Sequence, residues 1–132
     1  LLITHDNIGQ SLLAAAINII GSSPLRCSNL IINHQMDIEQ GYLQAKNLYT
    51  KLDEGDGVLV ITDIYGSTPS NIATHLLEQN SGQGIIVVTG LNLPMLVRVM
   101  NYAHLDLPAL AKKAGSSAHD SIFVIDNSIN CD

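Results

Sequence analysis

His5 and Asp63 occupy matching places in two separate stretches of this 132-residue chain. His5 follows the apolar run Leu1-Leu-Ile-Thr4, and Asp63 follows Val58-Leu-Val-Ile-Thr62. Polar residues and then a helical pattern come after each. Neutral imidazole is a nucleophile near neutral pH, and a phosphorylated imidazole is energetic enough to pass its group onward. Such chemistry needs one ring nitrogen free and the other held as a donor. A carboxylate can hold it, and also stabilises the positive character that develops on the ring. Gly66, Ser67 and Thr68 then supply backbone N–H groups and hydroxyls at a helix start, where the dipole favours anions. Phosphoryl transfer depends mainly on such positioning and charge stabilisation. Taken singly, these residues have ordinary readings: a strand-end histidine, a helix cap, a loop carboxylate. Asp6 reads either as a local cap or as a rival partner for His5.

The elements that must position these residues alternate along the chain. Leu1–Thr4 reads as a strand, and Ile8, Leu12, Leu13, Ala16, Ile17 and Ile20 recur at helical spacing. Residues 29–33 form a second short strand. Asp37 can cap a helix whose apolar positions Ile38, Tyr42, Ala45, Leu48, Tyr49 and Leu52 trace one face. Residues 58–62 are continuously apolar, as in a central parallel strand covered on both faces. Thr68 is expected as the next N-cap with Pro69 at the first helical position, and Asn92 with Pro94 repeats that arrangement. A strand over 84–88, helices over 95–102 and 108–118, and a last strand over Ile122–Ile125 complete the pattern. The expectation is one α/β domain over residues 1–132, doubly wound and mostly parallel, with the flavodoxin-like order 2-1-3-4. That order sets strands one and three side by side, with their helices on opposite faces and a crevice between the strand ends. His5 and Asp63 would meet there.

Composition excludes several classes. With 46% hydrophobic and 14% charged residues the chain is globular in type, and no apolar run approaches the roughly 20 residues of a membrane-spanning helix. A net charge of −6 with six basic residues argues against nucleic acid as a ligand. Cys27 and Cys131 fit no metal spacing, and free thiols in the cytoplasm are the expectation. The chain opens inside a strand without a methionine, so a few preceding residues are expected.

Three motifs carry a family resemblance: Thr4-His5-x-Asn7-Ile8-Gly9, Ile61-Thr-Asp63-Ile-Tyr65-Gly66-Ser67-Thr68-Pro-Ser-Asn71, and Gly90-Leu-Asn92-Leu-Pro-Met95-Leu96. In order and spacing they resemble the mannose-type enzyme IIA domain of the bacterial sugar phosphotransferase system, over essentially the whole chain. The resemblance implies a histidine phosphotransferase of the cytoplasm that binds no cofactor. His5 would be charged by the phosphocarrier HPr and discharged onto a IIB component, with Asp63 orienting it and residues 66–68 around the phosphate. It further implies a homodimer in which a C-terminal strand, here Ile122–Ile125, is exchanged between partners. Asp6, Asn7, Tyr65, Asn92 and Met95 are candidates for pocket or partner contact. The chain departs from the family in having Asp6 where glycine is common, Gly66-Ser67 for Gly-Gly, and Tyr65 for tryptophan.

Two other functions compete. A stand-alone domain of this type can act as a regulator whose phosphorylation state signals carbon or nitrogen status. A flavodoxin-like small-ligand binder is the third reading. It is disfavoured because the first strand–helix turn has one glycine, Gly9, rather than Gly-x-Gly-x-x-Gly, and because there is no tryptophan. His34 follows the second strand and so stands at the crevice edge. His75, His104 and His119 read as surface or cap residues, and no metal site is expected.

Overall fold

The computed structural model describes residues 1–128. Four strands, β1 (Leu2–His5), β2 (Asn29–Ile32), β3 (Val58–Thr62) and β4 (Ile85–Thr89), form a parallel sheet in the order β2-β1-β3-β4. Five helices accompany them: α1 (Ile8–Ile20), α2 (Ile38–Leu52), α3 (Thr68–Gln79), α4 (Leu93–Asn101) and α5 (Leu107–Asp120). The expected order is therefore observed, and the sheet is covered on both faces as parallel sheets require.

Alternation along the strands divides the core into two layers. Ile3, Leu30, Ile32, Val58, Val60 and Ile85 face α2 and α3, meeting Ala45, Tyr49, Ile72 and Leu76. Leu2 and Ile61 face α1, α4 and α5, meeting Leu13, Ala16, Met95, Leu96, Met100 and Leu110. With α1 and α3 on opposite faces, the chain reverses its direction of winding between β1 and β3. Backbone register brings Leu2 beside Ile61 and Ile3 beside Thr62, so β1 continues through Thr4 and His5 beyond the level at which β3 ends.

Helix boundaries follow side-chain caps. The Asp37 carboxylate accepts the Gln40 N–H at 2.7 Å while the Gln40 side chain accepts from the Asp37 N–H, a reciprocal capping box. Asn92 and Asp106 cap α4 and α5 by accepting the N–H groups of Met95 and Ala109. At α3 the cap is Ser67, one residue before the expected Thr68, and Pro69 falls at the second helical position.

The expected last strand is not formed within this chain. Ile122–Ile125 lies in no strand, and its four side chains are between 78% and 88% exposed. A strand exists only as a member of a ladder, and this segment pairs with neither sheet edge of its own chain. Cys27 is exposed and free, whereas Cys131 lies outside the described residues.

α2 and α3 pack closely, and a Cβ on Gly41 would overlap Ile72 Cδ1. Ile72 is fully buried and has little room to yield. We expect Gly41→Ala to lose about 1–3 kcal/mol to overpacking, partly offset by better helix propensity. Ile72→Ala alone should cost about 2–5 kcal/mol. Because the two residues occupy one space, the double variant should be less destabilised than the sum, as urea unfolding would show; strict additivity would exclude the contact.

Candidate active site

At the carboxyl end of the sheet the Asp63 side chain reaches across from β3 to β1. Its Oδ2 accepts the His5 backbone N–H at 3.0 Å and lies 2.8 Å from His5 Nδ1, while Oδ1 accepts the Ile64 N–H at 3.1 Å. The His5 side chain is 37% exposed and that of Asp63 only 10%. Burial pushes the Asp63 carboxyl up. The bonds from the His5 backbone and ring, with the ring's charge, more than offset this, so its pKa lies below the ordinary 3.8. An ionised carboxylate only accepts, so His5 Nδ1 carries the hydrogen, and in the neutral ring Nε2 keeps its lone pair. Nε2 has no partner among the described residues.

Backbone bonds lock the walls of the crevice. The Asp6 N–H donates to Ile32 O at 3.1 Å, and Thr4 Oγ1 accepts the Gly9 N–H at 2.9 Å, fixing the start of α1. Gly9 is needed there, since a Cβ would press on Thr4 and Asn29. Thr62 O accepts both the Gly90 and Leu91 N–H groups at 3.0 Å, which ties the 90–92 loop to the end of β3. Gly66 turns the chain at φ 81, in the left-handed region that favours glycine.

The helices meeting this crevice begin differently from the rest. α2, α4 and α5 have side-chain caps, whereas the N-caps of α1 and α3, Asn7 and Ser67, make no such bond. Ser67 Oγ instead donates to Ile64 O at 2.7 Å, closing the turn on itself. The hydroxyl expected to face a phosphate is thus committed inside the loop. The Thr68 and Ser70 backbone N–H groups have no acceptor among the described residues, and Pro69 between them has none to offer. Two free donors at a helix start, beside a nucleophilic imidazole, suit an anion.

Other expected contacts separate into surface and core. Asn7 and Asp6 are exposed, and Tyr65 is 82% exposed beside the exposed Ile64, so both turns present side chains to solvent. Asp6 neither caps α1 nor displaces Asp63 from His5. Asn92 is occupied in capping α4. Met95, expected at the pocket wall or partner surface, is fully buried in the α1–α4 layer and braces the loop from inside. His34 is exposed past the end of β2 and makes no hydrogen bond or ion pair with His5 or Asp63. His75 packs edge-on against Tyr42, their ring centroids 4.5 Å apart. No group of three or more metal-ligating side chains occurs among the described residues. A hollow of about 490 Å³ lies away from all of this at the amino end of the sheet, lined mainly by aliphatic residues such as Leu25, Val58, Leu96 and Leu110. Sequence reading missed the free Ser70 N–H, for which a proline just inside a helix start was the available signal.

A histidine–carboxylate pair at the switch point of a 2-1-3-4 parallel sheet stands where open α/β sheets place their ligands. Residues 1–114 match the family model EIIA-man, the PTS system fructose IIA component, and the chain belongs to that family of phosphotransferase system (PTS) proteins. The fold is shared with the mannose/sorbose specific IIA subunit from Enterococcus faecalis (TM-score 0.83, 19% identity, 95% of this chain and 92% of that one). It is shared also with the system's component EIIA from Streptococcus agalactiae (TM-score 0.82, 22% identity, 93% of each chain). A sigma-54 interaction domain protein from Enterococcus faecalis is similar too (TM-score 0.75, 18% identity, 91% and 89%). Among the described residues no helix is long and apolar enough to cross a membrane.

Asp63 also links the site to stability. Its folded pKa lies below 3.8, so its contribution is complete above that value and is lost as pH falls through the folded pKa. Asp63→Asn should cost about 1–3 kcal/mol at pH 7, the usual range for hydrogen bonds to a charged group. The variant should also lose less stability than the parent between pH 4 and the acid limit. Parallel stability–pH curves would overturn this reading.

Proposed function

We propose that His5 is the phosphoryl acceptor of this IIA domain, charged by phosphorylated HPr and discharged onto a IIB component in sugar uptake. The observation that carries this reading is the Nδ1–Oδ2 hydrogen bond of 2.8 Å, which leaves Nε2 as the free nucleophile. On charging, the Nε2–P bond forms as the P–N bond of the donor histidine breaks; on discharge the Nε2–P bond breaks as the bond from phosphorus to the acceptor forms, and each time the departing imidazole keeps the electron pair. Asp63 retains its bond to Nδ1–H throughout and balances the positive ring. The Thr68 and Ser70 N–H groups and the Thr68 hydroxyl receive the phosphoryl oxygens, whose charge the start of α3 favours. Exposed Ile64 and Tyr65 beside His5 give partner proteins an apolar foothold in an otherwise acidic molecule.

The exposed Ile122–Ile125 segment supports a homodimer in which it pairs with a sheet edge of the second copy. Four consecutive exposed apolar residues with high β propensity favour a partner over solvent. A second functional reading, regulation through the phosphorylation state, is favoured by the shared fold of the sigma-54 interaction domain protein.

Intact-mass measurement after incubation with phosphoenolpyruvate, enzyme I and HPr should show one acid-labile phosphoryl group, absent in His5→Ala. Retention of the group in that variant would refute the assignment. Sedimentation should give a dimer for the parent and a monomer for the double variant Phe123→Asp, Ile125→Asp; a parent that is monomeric at all concentrations would refute strand exchange.

A further inference from the structure

Asp6 is the only non-glycine at positive φ among the described residues, at φ 45; all seven others are glycines. A non-glycine residue is uncommon there, and aspartate is among the few that tolerate it. The position is held, not frayed: the Asp6 N–H is bonded to Ile32 O. Its exposed carboxylate neither caps α1 nor enters either of the ion pairs found among the described residues. No lysine or arginine is near in the chain to answer it. The six basic residues are Arg26, Lys46, Lys51, Arg98, Lys112 and Lys113, and none falls in the 6–7, 33–37, 63–67 or 90–92 segments at this end of the sheet.

From this arrangement we infer that Asp6 sets the phosphoryl-transfer potential of His5, acting as an electrostatic destabiliser of the phosphorylated form. The inference rests on the reading of His5 as the acceptor. Phosphorylation brings close to two negative charges beside Asp63, which is already ionised and engaged, and beside Asp6, which is free. Asp63 offsets its repulsion through its bond to the ring. Asp6 makes no such bond, so its charge acts against the phosphoryl group alone. The phosphorylated domain is therefore a stronger donor than one with a neutral residue at position 6, and at a given ratio of phosphorylated to free HPr it holds less phosphate.

The equilibrium with HPr is the right readout, because docking contacts act on rates in both directions and cancel from the equilibrium constant. Mixtures of phosphorylated and free HPr at fixed ratios would be equilibrated with the parent, Asp6→Asn and Asp6→Gly, and the phosphorylated fraction read by intact mass. Removing a unit charge next to a near-dianion should raise the equilibrium constant roughly three- to tenfold at low salt, and the gain should shrink at high salt. Asn keeps tolerance of the left-handed backbone, so a shift in both variants assigns the effect to charge. A shift in Asp6→Gly alone would assign it to the backbone and overturn the inference, as would no shift in either or a shift indifferent to salt. If neither the parent nor Asp6→Asn takes up phosphate while active HPr is present, the acceptor reading itself falls. A parent that is phosphorylated on His5, with variants that do not differ from it, refutes the role of Asp6 alone.

Discussion

One carboxylate joins β1 to β3 at the end of the sheet, and the site exists because of it. Asp63 takes hydrogen bonds from the ring and the backbone of His5 and from the Ile64 N–H, so a single side chain settles three things. It selects the ring tautomer, holds the ring's direction, and fastens the last residue of one strand to the loop after another. The two strands contribute only two paired positions to each other, so this bond adds to a short seam. Chemistry and architecture share the same atoms.

The surrounding structure can be understood as support for that pair. Thr62, just before Asp63, uses its carbonyl to hold the 90–92 loop, while Thr4, just before His5, uses its hydroxyl to hold the start of α1. Each residue of the pair is thus preceded at once by a threonine that anchors a neighbouring turn. Both threonines are buried, which keeps solvent from competing for these bonds. Further out, the two aliphatic layers keep α1 and α3 apart on opposite faces.

Much of this was legible in the residues. Apolar runs separated by amphipathic stretches allow few topologies, and the 2-1-3-4 order places the two strand ends together. The caps at Asp37 and Asn92 were legible because their side chains have local targets three residues on. Ser67 was not, because its hydroxyl turns back to Ile64 and the helix starts without a side-chain cap. Met95 was misplaced since an apolar residue near a pocket motif looks the same in sequence whether it faces the pocket or the core. The Ile122–Ile125 segment has the composition of a strand but no partner strand within its own chain, and no local pattern carries that information. Gly41 went unremarked because a close helix approach is a property of two distant segments at once.

The placement of α1 and α3 has a thermodynamic consequence. Their opening turns belong to different layers of the core, yet each follows one of the two residues of the pair, α1 after His5 and α3 after Asp63. Any group seated there bridges the two layers as a wedge bridges two boards, and its binding adds to the free energy that must be overcome to separate them. Unfolding temperature would then register the chemical state of a single ring nitrogen, and a cell's proteases, which sample open forms, would see charged and uncharged molecules as proteins of different lifetime.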